Sequence, residues 1–300
     1  MIKIEVIGAA CLDILISGYE IDAFFSGKHK TERITSSFGG DALNEAAVLK
    51  RLECDISLNT ILGNDPAGYL IKDYLDRSDI KHYQNIFKND IDTYISLVMI
   101  DNDGQRCFVG SKEGSVRLLD LDDIIIDDEA KIISFASLFI SKKLDNEKLE
   151  HLFRKIKEKN KILCVDCSTP KNNEKISDMG CLKFVDYFFC NESEARALCG
   201  CDDLMECEKK MYEADINNVV IKAGSKGCLY KHEYHPTEII TCVDSTGAGD
   251  SFTAGFIYAL AQGKDISGCI KIANRFGSTA CQYTGSISWL DKVAIKDLLI

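Results

Sequence analysis

With 300 residues, 46% of them hydrophobic and 28% charged, the chain has enough apolar material for one large domain or two small ones. Acidic residues (47) outnumber basic ones (36), a net charge of −11 with no clustered basic stripe, which speaks against nucleic acid or an anionic membrane as partner. No apolar run approaches the ~20 residues that a spanning helix needs, and Met1–Gly8 reads as a strand and not as a signal peptide. A cytoplasmic protein is expected. The 14 cysteines fit that reading, because most lie in apolar runs (Cys164, Cys190, Cys242, Cys281) where a thiol packs as a small hydrophobe. Cys164 and Cys167 form a C-x-x-C inside a strand, a spacing that points the two thiols to opposite faces. Cys199, Cys201 and Cys207 leave a structural zinc as the alternative.

Taken in chain order, residues 2–8 read as a strand ending in Gly8-Ala9-Ala10-Cys11, with Asp13 just beyond. In open α/β sheets ligands bind outside the carboxyl ends of strands, so Asp13 is either a ligand contact or a turn-forming Asp. Residues 14–37 lack helical periodicity and hold short β-like pieces at 14–19 and 32–36. Gly39 and Gly40 then lead into a helix with Asn44 in its first or second turn. Either the backbone approaches a ligand there and Asn44 bonds its hydroxyls, or this is a plain helix entry capped by Asp41. A strand (56–62), a Gly-Asn-Asp-Pro turn and a helix (67–76) complete β-α-β-α order.

Residues 93–100 and 105–109 flank Asp101-Asn102-Asp103-Gly104, a β-hairpin signature. With the pieces in 14–37 it predicts a small separate sheet, a lid whose apolar surface would pair with a second copy. Lys112 and Arg117, just past the hairpin, either meet a substrate carboxylate or phosphate or are solvated lid charges. Strands at 132–140, 162–167, 187–190 and 219–222 then alternate with helical segments, including an amphipathic helix at 146–159, so the main sheet is mostly parallel and covered on both faces. Residues 238–243 read as a strand that runs into the small-residue stretch 244–251, and a helical pattern (Phe252, Phe256, Ala259, Leu260) stops at Gly263.

That strand, turn and helix would aim backbone N–H groups and a positive dipole end at one point, an anion site. Asp250 in its first turn is either a cap or the acceptor of a proton from an attacking hydroxyl. Asn191-x-x-Glu194 either complements a helix dipole or orders a hydrated Mg²⁺, and Gly224-Ser225-Lys226-Gly227 either covers nucleotide phosphates or makes a hairpin turn. No Walker A, G-x-G-x-x-G or H-E-x-x-H pattern is present, and none of the five His lies beside a nucleophile, so metalloprotease and triad-hydrolase chemistry drop out.

The run Asp244-Ser-Thr-Gly-Ala-Gly-Asp250-Ser-Phe-Thr-Ala-Gly-Phe256 resembles, nearly residue for residue, the C-terminal signature of the ribokinase-like (PfkB) sugar kinases. Gly39-Gly40-x-x-x-Asn44 resembles their N-terminal signature, and Asp13, Asn191-x-x-Glu194 and the 224–227 loop follow in the family's order. The resemblance implies an α/β three-layer sandwich with a mostly parallel sheet plus a β-lid, the core at 1–13, 38–90 and 118–300 and the lid at 14–37 and 91–117. It further implies ATP- and Mg²⁺-dependent phosphorylation of a primary hydroxyl of a free sugar, activation by K⁺, and a homodimer formed through the lid.

By the same resemblance Asp250 is the base, and the amides of Gly247, Ala248 and Gly249 form the anion hole. Asp13, Gly39, Gly40 and Asn44 contact the sugar; Asn191, Lys222, Gly224, Ser225, Gly227 and Asn274 serve the nucleotide. Glu194 orders Mg²⁺ through water, and Asp244 and Thr246 belong to the loop that binds a monovalent cation, with backbone near Gly285 and Ser286. The helix N-terminus is expected to hold the Asp250 pKa low.

The chain departs from the family at the acceptor side. Asp166-Cys-Ser-Thr-Pro170 lacks the Asn and Arg of fructokinase-like members, Ser141 stands where ribokinase has Glu, and Asp41-Ala-Leu43 matches neither. Pentose, hexose, sugar acid and nucleoside all stay open as acceptors; Tyr19, Phe24 and Phe25 would suit a base or, equally, a lid–lid interface. A non-catalytic sugar- or nucleotide-binding regulator is the rival outside the enzyme class.

Overall fold

A computed structural model describes residues 2–19, 30–83, 86–101 and 106–299. Its backbone is a nine-stranded sheet with helices on both faces and a separate four-stranded sheet. The first half of the chain gives β1 (Lys3–Ile7), β2 (Cys11–Tyr19), β3 (Arg33–Gly39), α1 (Asp41–Arg51), β4 (Asp55–Asn59), β5 (Leu62–Gly63), α2 (Pro66–Arg77), β6 (Lys81–His82), β7 (Phe87–Lys88), β8 (Ile95–Asp101) and β9 (Arg106–Gly110). The second half gives β10 (Ile132–Leu138), α3 (Asn146–Glu158), β11 (Ile162–Cys167), β12 (Tyr187–Asn191), α4 (Glu192–Cys199), α5 (Leu204–Glu213), β13 (Val219–Lys222), β14 (Cys228–Tyr230), β15 (Glu233–His235), α6 (Ala248–Ala261) and α7 (Ile266–Ala280).

The large sheet has the order β15-β14-β13-β12-β11-β10-β1-β4-β6 and is parallel from β6 to β13, with β14 and β15 added antiparallel. Its strands are apolar on both sides because both sides are covered. Side chains alternate between two cores: Ile132, Ala136, Cys164 and Phe189 pack with α1, α6 and α7, while Ile133, Phe135, Val165 and Phe188 pack with α3, α4 and α5. Cys164 and Cys167 fall on opposite faces, as a period of two requires. The predicted stripe of α3, Leu149, Leu152, Phe153 and Ile156, is buried, and Asp145 caps that helix by accepting from Lys148 N at 2.9 Å. This is the three-layer α/β sandwich expected.

The second sheet has the order β3-β2-β8-β9, with β2 antiparallel to β3 and parallel to β8. The hairpin strands β8 and β9 pair as predicted, while its turn, residues 102–105, and the aromatic residues Phe24 and Phe25 lie outside the described residues, as does the Tyr19 side chain. Ile34, Ile95 and Val109 of this sheet are exposed.

Four local expectations are corrected. Residues 238–243 form no strand: Ile239 is fully exposed, no sheet neighbour is offered, and the N–H groups of Val243 and Asp244 donate to Cys281 O at 2.8 and 3.0 Å. β-branched residues favour a strand only where a pleated surface receives them. The strand at 56–62 breaks after Asn59 because the chain changes partner, from β1 to the segment where Leu62 N donates to Ile86 O at 2.7 Å. Asp13 sits inside β2, opposite Ser37, and not in a turn after β1. Asp41 opens α1 without capping it; Gly40 is the N-cap and no side chain caps the helix.

Candidate active site

The ends of β10–β13 and the starts of α1, α4 and α6 surround one cavity of about 800 Å³. Asp41, Asp166, Asn191, Glu194, Lys222, Gly224, Ser225, Gly227, Ala248, Gly249, Asp250 and Asn274 all contribute to its wall. Residues separated by more than 200 positions in the chain thus converge at the carboxyl edge of the parallel sheet, where open α/β folds place their ligands.

Gly247 is the N-cap of α6, with φ of 74° and no side-chain cap. A Cβ there would lie 2.6 Å from Ser286, so glycine alone fits this left-handed position. No side chain takes the first amides of α6; Ala248 N donates to Ser245 O at 3.2 Å, and the others are left for a bound anion. At Gly249 a Cβ would stand 3.2 Å from Lys222 Nζ; the missing side chain keeps the space beside the ammonium clear.

Lys222 pairs with Asp166 (Nζ to Oδ1 2.8 Å and Oδ2 2.7 Å), and Thr253, one turn past Asp250, donates to Asp166 Oδ2 at 2.6 Å. Burial opposes the ammonium, but Asp166, Glu194 and Asp250 more than offset it and the Lys222 pKa is raised. Lys222 is a fixed cation at the mouth of the α6 amides.

Asp250 lies across from α1, where Asn44 Nδ2 donates to its Oδ2 at 2.7 Å. Asn44 Oδ1 is buried and has no partner among the described residues. A buried acceptor left unmatched costs free energy until a donor arrives, and a sugar hydroxyl is such a donor. The expected low pKa of Asp250 is corrected: loss of water, the Asp41 carboxylate and Asp166 push it up to about 8, against the pull of Asn44 and Lys222. Desolvation and two like charges outweigh one helix end.

Asp13 packs on Gly39, and burial pushes its carboxyl up to about 6. Asn191 and Glu194 form a complete capping box on α4: Glu194 N donates to Asn191 Oδ1 at 2.9 Å and Asn191 N to Glu194 Oε2 at 2.8 Å. Glu194 is buried at the cavity wall with its pKa up to about 7, chiefly from desolvation. The segment 224–227 is both the turn between β13 and β14 and part of the cavity wall. Asn274 Nδ2 donates to the carbonyls of His235 (3.0 Å) and Pro236 (3.3 Å), fixing that wall. Asp244 accepts from Gly285 N at 2.7 Å and Thr246 N at 2.8 Å, so the 244–246 loop is tied to the 285–286 segment.

Sequence reading passed over Thr253, Asp41 and Lys171 as site residues. Ser168 Oγ donates to Asp41 Oδ2 at 3.0 Å, and both line the cavity with Lys171. Only their placement reveals them; Thr253 alone was within reach of pattern, one helical turn from Asp250.

Fold and site together define a sugar kinase. The model of the pfkB family of carbohydrate kinases matches residues 1–292, and the chain belongs to that family. It is accordingly a phosphotransferase that acts on an alcohol group of a sugar. Among individual proteins it is 24% identical to a 2-dehydro-3-deoxygluconokinase of Haemophilus influenzae, over 87% of this chain and 91% of that one. A ribokinase of Arabidopsis thaliana is 26% identical, over 87% and 72% of the two chains. The solved Arabidopsis thaliana ribokinase complexed with ribose and ATP superimposes with a TM-score of 0.79 at 23% identity, covering 100% of this chain and 99% of that one.

Proposed function

We propose that the protein transfers the γ-phosphoryl group of ATP to a primary hydroxyl of a monosaccharide. The observation that carries this reading is the Asn44–Asp250 pair: an orphaned amide oxygen and a carboxylate that accepts, side by side at the uncapped start of α6. The acceptor hydroxyl binds between them, with Asp13 and the Gly39-Gly40 backbone holding the rest of the sugar. Asp250 takes the proton as the phosphoryl group leaves ADP. Its raised pKa suits it to that task near neutral pH. The amides of Gly247 to Gly249 and the Lys222 ammonium stabilise the phosphoryl oxygens, and because phosphoryl transfer passes through a loose transition state, such positioning and charge do most of the catalysis.

The nucleotide lies along Asn191, Lys222, Gly224, Ser225, Gly227 and Asn274. Oxygen donors at the cavity wall, Glu194 foremost, suit a hydrated Mg²⁺, which supplies charge neutralisation on the phosphates. A K⁺ ion beside Asp244 and Thr246 would brace the loop that carries the anion hole, so exchanging K⁺ for Li⁺ lowers turnover. The exposed Ile34, Ile95 and Val109 of the second sheet support its use as a lid that pairs two copies. Among the described residues no helix is long and apolar enough to cross a membrane, in keeping with a cytoplasmic kinase.

The decisive assay is ADP release with Mg-ATP and K⁺ against a panel of pentoses, hexoses, sugar acids and nucleosides. If no acceptor stimulates turnover while ligands still raise the melting temperature, the protein is a binding regulator instead.

A further inference from the structure

Two neighbouring cations, Lys171 at the cavity and Arg117 behind the segment after β10, lack the ion pairs that Lys142 and Lys222 have. Arg117 closes a short 3₁₀ turn after the second sheet, and its carbonyl accepts from Ser141 Oγ (3.3 Å) and Lys142 N (3.1 Å), which pins the turn to the segment after β10. Its Nε is buried and has no partner among the described residues. Lys171 follows β11 and lines the cavity beside Asp41 and Ile140. Lys171 is exposed at the cavity rim and within electrostatic range of Arg117: partial loss of water and the Arg117 guanidinium lower its pKa, with Asp41 opposing.

Asp41 is a poor counter-ion, since burial and Asp166 push it toward its neutral form and Ser168 already donates to it. Nearby Lys142 and Lys222, by contrast, are paired with Glu113 and Asp166. In a chain with 47 acidic residues, neither cation has an ion pair among the described residues, though Glu113 acts on Arg117 and Asp41 on Lys171 at longer range, and together they form a place for an anion from outside. The Gly224 turn follows β13, two strands along the sheet from β11 and three from β10, although the Lys222 ammonium at the end of β13 reaches across to Asp166 of β11.

We propose that Arg117 and Lys171 bind an oxyanion on the acceptor itself, so that the substrate is a sugar acid or a sugar phosphate and not a neutral sugar. The inference rests on the kinase reading above and names its substrate class. It also replaces the view of Arg117 as a solvated lid charge; Lys112 alone fits that description, being exposed.

The test compares acceptors that differ in charge: gluconate against glucitol, and ribose 1-phosphate against ribose. These are measured for kcat/KM at saturating Mg-ATP and for the shift in melting temperature they cause in the intact enzyme. One anion of the set is expected to be preferred over its neutral partner by about tenfold or more, the size of a charge-assisted hydrogen bond, and the pair that responds tells carboxylate from phosphate. Arg117→Met and Lys171→Met should each raise KM for that anion about tenfold while KM for ATP stays put, and Lys171→Arg should restore most of the loss. Equal use and equal binding of charged and neutral acceptors overturns the proposal. So does a penalty in the two variants that falls on ATP. If the anion raises the melting temperature in the wild type but not in the variants, and no ADP is released, the proposal stands and the kinase reading alone fails.

Discussion

Two helices begin at the floor of the same cavity, and they begin differently. α4 starts with Asn191, whose side chain satisfies Glu194 N while Glu194 answers with Asn191 N, so its first turn is closed upon itself. α6 starts with Gly247, which offers no side chain, so no side chain closes its first turn, and Gly249 there lies beside the Lys222 ammonium. A capped helix start has its first amides occupied, even where, as here, Asn191 and Glu194 also line the cavity. An uncapped one, at the carboxyl edge of a parallel sheet and backed by a fixed cation, is suited to a phosphate. Chemistry is therefore expected to depend on α6 and stability on α4.

The largest effect should come from Asp250→Asn, which keeps the shape of α6 and removes the proposed base; kcat should fall by about 10²–10⁴ while ATP titrations change little. Wild-type turnover in that variant would remove Asp250 from the mechanism. Lys222→Met should cost about 3–5 kcal/mol of stability, because Asp166 is left buried with its charge unpaired. A melting temperature equal to that of the wild type would mean that Asp166 is protonated or solvated there. On the other side of the comparison, Asn191→Ala should remove about 1 kcal/mol of stability through the lost cap, with a far smaller effect on kcat than Asp250→Asn; a loss as large would erase the distinction between the two helix starts.

A pH profile sharpens the same contrast. Asp250 is a carboxyl whose pKa is raised toward about 8, and only its deprotonated form accepts a proton. In consequence kcat/KM should fall as pH drops through that value and level off above it. A profile flat down to pH values near an ordinary carboxylate pKa, about 4, would show that Asp250 is ionised throughout.

Much of this was legible from residues alone. The alternation of strands and helices requires a parallel sheet, and the Leu149–Ile156 stripe of α3 and the C-x-x-C of β11 fell where period counting puts them. Local pattern failed at 238–243, because those β-branched residues meet no sheet, and at Asp41, which looks like a cap and is instead a half-buried carboxyl at the cavity, held by Ser168. It also misjudged the Asp250 pKa, since the carboxylates of Asp41 and Asp166 lie far from Asp250 along the chain and beside it in space.

By itself the sequence determined the family, the α/β class and the glycine-rich start of α6, because periodicity, turn chemistry and the 244–256 signature are all written in neighbouring residues. Only the tertiary structure decided what faces Asp250. Asn44 reaches it from α1 with one oxygen unmatched, Lys222 is clamped by Asp166, which Thr253 holds in turn, and Arg117 comes within electrostatic range of Lys171. The physical reason is distance: burial and Coulomb interaction act over a few ångströms through space, whatever the number of residues between the groups.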